Sequence, residues 1–127
     1  MSYQTIALVY GVTLTEKEYK GVKKKLKKIG KELALSNEDY DDGETMDDYE
    51  ILNELGISIF NGYYHDVYKV GFVIEEDEVR TMQDFVFDFT IPTANKLKKI
   101  LTKNEEIIEK LGLDKDKFNL GVCTNNY

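Results

Sequence analysis

His65 and Asp66 are the one place in the chain where an imidazole and a carboxylate stand side by side. A carboxylate in that position can orient the ring and support proton transfer. The pair follows Asn61-Gly62 and sits among Tyr63, Tyr64 and Tyr68, the surroundings of an exposed hairpin, where a histidine needs no function. A nucleophile to work with them would have to be a hydroxyl or Cys123. The alternation of the last strand puts Cys123 opposite Phe118, Leu120 and Val122, beside Gly121, which reads as a buried, inert thiol. His65 and Asp66 are therefore catalytic candidates that nothing else in the sequence completes.

Carboxylates are plentiful. Asn37, Asp39, Asp41, Asp42, Glu44 and Asp48 resemble a calcium loop in spacing, because Ca²⁺ takes six to eight oxygens from a flexible segment. The glycine falls one position late, however, and Asp48 stands where a glutamate is required. A solvated or lysine-paired loop accounts for the run better. Asp66, Glu75, Glu76, Asp84 and Asp88 lie on strands or turns that could converge on Mg²⁺, but their spacing follows no motif. One histidine and one cysteine exclude the usual Cys/His zinc site within a single chain. No phosphate-binding loop and no dinucleotide glycine fingerprint occurs. Neither a metal nor a cofactor is expected.

The strongest feature is a segregation of charge. Thr15 to Leu33 reads as one long helix whose segment carries eight lysines. The segment that follows, to Glu50, carries eight carboxylates, and neither Lys nor Arg appears between Ser36 and Tyr68. Three signals make the helix. Tyr19, Val22, Leu26, Ile29 and Leu33 recur at three and four residues, one apolar stripe. Thr15 and Glu18 fit a capping box. Glu16 and Glu18 suit the positive end of the helix dipole. Against it stand Gly21 and Gly30, each costing about 1 kcal/mol relative to alanine. Lys20–Lys24, Lys23–Lys27, Lys24–Lys28 and Lys27–Lys31 are like-charge pairs four apart, each costing about 0.2–0.5 kcal/mol. Packing of the stripe must hold the helix, and its charge must be answered by the acidic run, a partner or salt.

Around that pair the other elements fall in order. Tyr3 to Leu14 is a strand with two largely apolar or small faces. Ser36 to Asp48 is a surface loop, and Asp47 or Asp48 caps a short helix ending at Gly56. Ile57 to Phe60 is a short strand, and Tyr63 to Glu75 is a longer one. Glu76-Asp77 reads as a turn, and Glu78 to Thr90 as a returning strand with Phe85, Phe87 and Phe89 on one face. Pro92 suits the first turn of a helix. Asn104 leaves open one bent helix or two, with Asn104 able to cap the second. Gly112 and Leu113 form a glycine stop, and Lys117 to Thr124 is a last strand with Phe118, Leu120 and Val122 inward. The expectation is α+β: an antiparallel-rich sheet of about five strands with helices mainly on one face. With one strand extra, the element order resembles the split-βαβ plan of ferredoxin-like folds.

The length of 127 residues fits one domain, 1–127. A net charge of −7 disfavours nucleic acid as a ligand, except through the Lys23–Lys31 helix face. One cysteine, no apolar run long enough to span a bilayer and no signal peptide point to the cytoplasm and away from a membrane. Arg80 is the only arginine among seventeen basic residues. With abundant Asn, Ile and Tyr this matches AT-rich coding, such as that of a phage, a large DNA virus or a low-GC bacterium.

Tyrosine offers a large contact area and a hydroxyl at low entropic cost. Tyr40 and Tyr49 are set among carboxylates on an exposed segment. The functional expectation is thus a small, non-enzymatic binding protein. Its surface is Asp39, Tyr40, Asp41, Asp42, Glu44, Asp47, Asp48 and Tyr49, and its partner is a basic protein. The alternative is a small metal-dependent enzyme built on carboxylates and His65.

Overall fold

The computed structural model describes residues 3–36, 46–61, 67–80 and 88–126. Strand β1 (Tyr3–Thr15) runs directly into helix α1 (Glu16–Ser36). Helix α2 (Asp48–Leu55) and strands β2 (Ser58–Asn61) and β3 (Val67–Arg80) follow. Helices α3 (Ala94–Lys103) and α4 (Glu105–Lys110), one 3₁₀ turn (Lys115–Lys117) and strand β4 (Asn119–Asn126) complete the order. The sheet order is β2-β3-β1-β4 with every neighbouring pair antiparallel. This is the split-βαβ plan, with two helices in each crossover.

The transition from β1 to α1 is fixed by the reciprocal cap. The Thr15 N–H donates to Glu18 Oε1 at 3.1 Å, and the Glu18 N–H donates to Thr15 Oγ1 at 3.3 Å. Val22, Leu26 and Ile29 are buried, with Tyr19 and Leu33 partly so, against Val12, Val70 and Phe72 of the sheet. Burial contributes about 1.5–3 kcal/mol for each such side chain, enough to offset the lysine repulsion. Gly30 has a specific use. A Cβ there would collide with Cδ1 of Ile51, the fully buried anchor of α2. The glycine lets α2 lie close on α1. Tyr19 stacks on Tyr68 with centroids 3.8 Å apart and planes 3° from parallel.

Among the described residues the sheet has four strands where about five were expected. Glu76 and Asp77, read as a turn, lie inside β3 opposite Ala7 and Ile6. The thirteen residues of β1 supply partners along the whole length of β3, and that ladder outweighs the local turn signal. A bulge between Leu8 and Val9 places Glu75 and Val73 opposite them and leaves Ile74 as the extra residue. Glu78 to Arg80 belong to β3, and 88–93 have no regular structure. Phe85 and Phe87 lie outside the described residues, as do Gly62 and the tyrosines at 63 and 64.

Smaller differences follow the same logic. Pro92 precedes the helix, whose cap is Thr93 accepting from the Lys96 N–H at 3.2 Å. The α3–α4 segment is two helices. Asn104 ends α3, donating its side-chain amide to the Ile100 carbonyl at 2.9 Å, and gives α4 no side-chain cap. Gly112, at φ 69°, and Leu113 close α4 as expected, with the Leu113 N–H donating to the Ile108 carbonyl. Among the described residues no helix is long and apolar enough to cross a membrane.

The sheet is rolled. Its edge strands β2 and β4 approach within 8 Å between Cα atoms, although two strands separate them. The pair Gly11–Gly71 at the centre permits this. A Cβ on Gly11 would run into the Val70 carbonyl and the Gly71 Cα, and one on Gly71 into the Tyr10 carbonyl. Only glycine tolerates so close an approach of two backbones.

Candidate functional site

Three of the eight residues expected at the binding surface fall at the start of α2. Asp39, Tyr40, Asp41, Asp42 and Glu44 lie outside the described residues, and Asp47, Asp48 and Tyr49 lie within them. Asp47 is extended, at φ −74° and ψ 166°, and its Oδ1 accepts from the Glu50 N–H at 2.8 Å. That bond satisfies one of the orphan donors of α2, so Asp47 builds the helix as well as carrying charge. Asp48 is exposed in the first turn, where the dipole favours a carboxylate. Tyr49 is 74% exposed, among the most exposed large apolar side chains described. Two residues later in the helix, Ile51 is 1% exposed. The short helix thus holds its apolar side against α1 and turns Tyr49 outward.

The charge of Asp48 reaches α1. Burial chiefly, then the Asp48 carboxylate and the Tyr68 phenol, push the Tyr19 hydroxyl above its ordinary value. The α1 lysines themselves, Lys17, Lys20, Lys23, Lys24, Lys25, Lys27, Lys28 and Lys31, are all exposed. The ion pairs formed between described residues are Lys110–Glu106 at 3.3 Å and Lys115–Glu105 at 4.0 Å, neither involving α1. Both are exposed and worth little.

The catalytic candidates His65 and Asp66 lie outside the described residues. Of the carboxylates considered for Mg²⁺, Asp66 and Asp84 lie there too. Glu75, Glu76 and Asp88 are exposed, and Glu75 Oε2 accepts from the Thr90 N–H at 3.3 Å. Among the described residues no three His, Cys, Asp or Glu side chains are arranged to hold a metal ion.

One polar cluster was not read from the sequence. On the sheet face away from the helices, Ala7, Val9 and Phe60 are buried, with Val73 and Cys123 packed on them. Lys69 lies on the same face at 8% exposure, the only buried charged side chain among the described residues. It leaves β3, and its Nζ donates to the Asn119 carbonyl at 3.0 Å and to Asn119 Oδ1 on β4. Its methylene and ammonium pass over Gly121, which has no side chain to obstruct them. Burial lowers the Lys69 ammonium, with a smaller opposing influence from Cys123. Burial raises the Cys123 thiol, which the Lys69 charge partly counters. Desolvation leads in both, so the thiol is held protonated rather than activated. The expected inert thiol is half-buried there. The cluster ties β3 to β4 across the rolled sheet. Its one sequence signal is a lysine on the small-residue face of an apolar strand.

Val122 corrects the reading of the last strand. It shares the helix-side face with Leu120 but is 63% exposed, while Leu8, its partner on β1, is buried.

No family model matches the chain, and no curated protein and no solved structure matches it.

Proposed function

We propose that this is a non-catalytic binding protein that engages a basic partner protein through an acidic, tyrosine-bearing surface at and just before the start of α2. The observation that carries the reading is Tyr49. It stands 74% exposed between Asp48 and Glu50 on a helix whose opposite side is locked to α1 by Ile51. A rigid aromatic among carboxylates suits a surface of Lys and Arg side chains, through cation–π contact and charge together. Asp39, Tyr40, Asp41, Asp42 and Glu44 continue that chemistry along the chain. Among the described residues, no ion pair joins an α1 lysine to a carboxylate. The setting in this reading is the cytoplasm, or a host cell's cytoplasm if the source is viral, in keeping with a single cysteine.

The test is affinity capture with the wild type beside two variants. One carries Tyr49→Ala alone. The other has Asp39, Asp41, Asp42, Asp47 and Asp48 all changed to Asn, which preserves the cap at position 47. The reading predicts that basic proteins retained by the wild type are lost by the Asn variant and weakened by Tyr49→Ala, with circular dichroism unchanged. Retention of the same proteins by all three would refute it.

A further inference from the structure

We propose that the exposed lysine face of α1 docks on the phosphate backbone of duplex nucleic acid, without reading its sequence. The inference is independent of the acidic, tyrosine-bearing surface.

At the α-helical period, seven of the eight α1 lysines, all but Lys25, fall within an arc of about 140°. The buried stripe of Val22, Leu26 and Ile29 lies on the opposite side, packed on the sheet. The arc therefore faces solvent, and every lysine in it is exposed. From Lys17 to Lys31 the only carboxylate is Glu18, which lies outside the arc and is engaged in the cap with Thr15. Among the described residues no ion pair involves these ammonium groups. Gly21 is a second, separate observation. It is exposed at the margin of the arc, one turn after Lys17 and one turn before Lys24, and a Cβ on it would meet nothing within 4 Å. The fold makes no use of the missing side chain, which costs the helix about 1 kcal/mol relative to alanine. Bare backbone among lysines suits a large ligand that lies close on the helix.

Charge density and side-chain type select the ligand. Along the axis the arc carries one positive charge per ~3 Å. Each strand of a duplex carries one phosphate per roughly 3.4 Å, a close match over the whole face. An acidic protein would need an unbroken row of carboxylates to equal it. The only aromatic of α1, Tyr19, is stacked on Tyr68, so the arc offers no ring to unstacked bases. It also has no arginine for the bidentate contact that reads guanine, and lysine meets phosphate as a point charge. A net charge of −7 opposes contact by the rest of the surface, which makes the binding weak and strongly dependent on salt.

Fluorescence anisotropy of a labelled DNA duplex of about 20 base pairs, titrated with the full chain from about 50 to about 200 mM salt, tests this. Neutralising about five phosphates gives a slope of log K against log salt near −4.5, roughly a 500-fold loss over that range. Gln at Lys23, Lys24, Lys27 and Lys31 should flatten the slope by about 3 to 4 and weaken binding by about tenfold or more. That variant removes like-charge pairs and should keep its circular dichroism. Gln at Lys96, Lys98, Lys99 and Lys103 of α3, also exposed, makes the same change in net charge and should leave binding as it was. Gly21→Gln should fold and bind more weakly. Absence of binding at low salt overturns the proposal, as does a flat salt response. So does equal loss in the two quadruple variants, or wild-type binding by Gly21→Gln. Polyglutamate that competes as well as the duplex at equal charge overturns it in favour of an acidic protein, and tighter binding of a single strand overturns the duplex.

Discussion

At Glu18 the carboxylate accepts from the Thr15 N–H, and the backbone N–H of the same residue donates to the Thr15 hydroxyl. Those hydrogen bonds from Thr15 hold its pKa below the ordinary glutamate value of 4.5. With the folded value lowered, the unfolded chain binds more protons in the window below 4.5, so stability rises with pH there. The contribution is complete above 4.5 and is lost as pH falls through the folded value. Urea midpoints measured from neutral to acid pH should therefore show the wild type losing its advantage over Glu18→Gln in that window. A constant difference would contradict the cap. Cys123 makes a second expectation. Its thiol is half-buried and raised by that burial, so a disulfide reagent at neutral pH should react with the folded protein far more slowly than with the urea-unfolded chain. Thr15, Glu18 and Asp47 were legible because caps are written within four residues. Lys69 was not, because its partner Asn119 lies fifty positions away and only the rolled sheet brings them together.

Glycines separate what an element needs locally from what its neighbours impose. Gly21 and Gly30 cost α1 the same propensity, yet a Cβ on Gly21 meets nothing within 4 Å while one on Gly30 meets Ile51. Gly21→Ala should raise stability by about 1 kcal/mol. Gly11→Ala should lower it by about 1–3 kcal/mol or more, since the added atom meets backbone rather than a movable side chain. Chemical denaturation of the two variants checks both signs. Most elements could be read from apolar period and caps, because each signal is local. The strand count could not. Glu76-Asp77 carries every local mark of a turn, and only the length of β1 beside it keeps it extended. Val122 had the spacing of a core residue and sits on the correct face. Its 63% exposure depends on what the assembled layers cover, which spacing within one strand does not carry.

Over the whole molecule, the sequence separates positive charge on α1 from negative charge in the segment after it, and the described ion pairs do not join the two. The proposed partner surface joins the exposed, helix-mounted Tyr49 to the acidic stretch of a molecule of net charge −7. Binding there should weaken with added salt, since exposed charges are screened over about 10 Å at 0.1 M ionic strength. The element order and the layer arrangement were legible because patterning alone specifies them. The site was legible only as composition, since five of the eight residues of the expected surface lie outside the described residues. The most direct measurement sets the two charged faces against each other in one capture assay. One variant carries Asn at Asp39, Asp41, Asp42, Asp47 and Asp48, and the other carries Gln at Lys23, Lys24, Lys27 and Lys31. The first should lose the basic partner and the second should keep it. Loss on removing the lysines with retention on removing the acids would contradict the account.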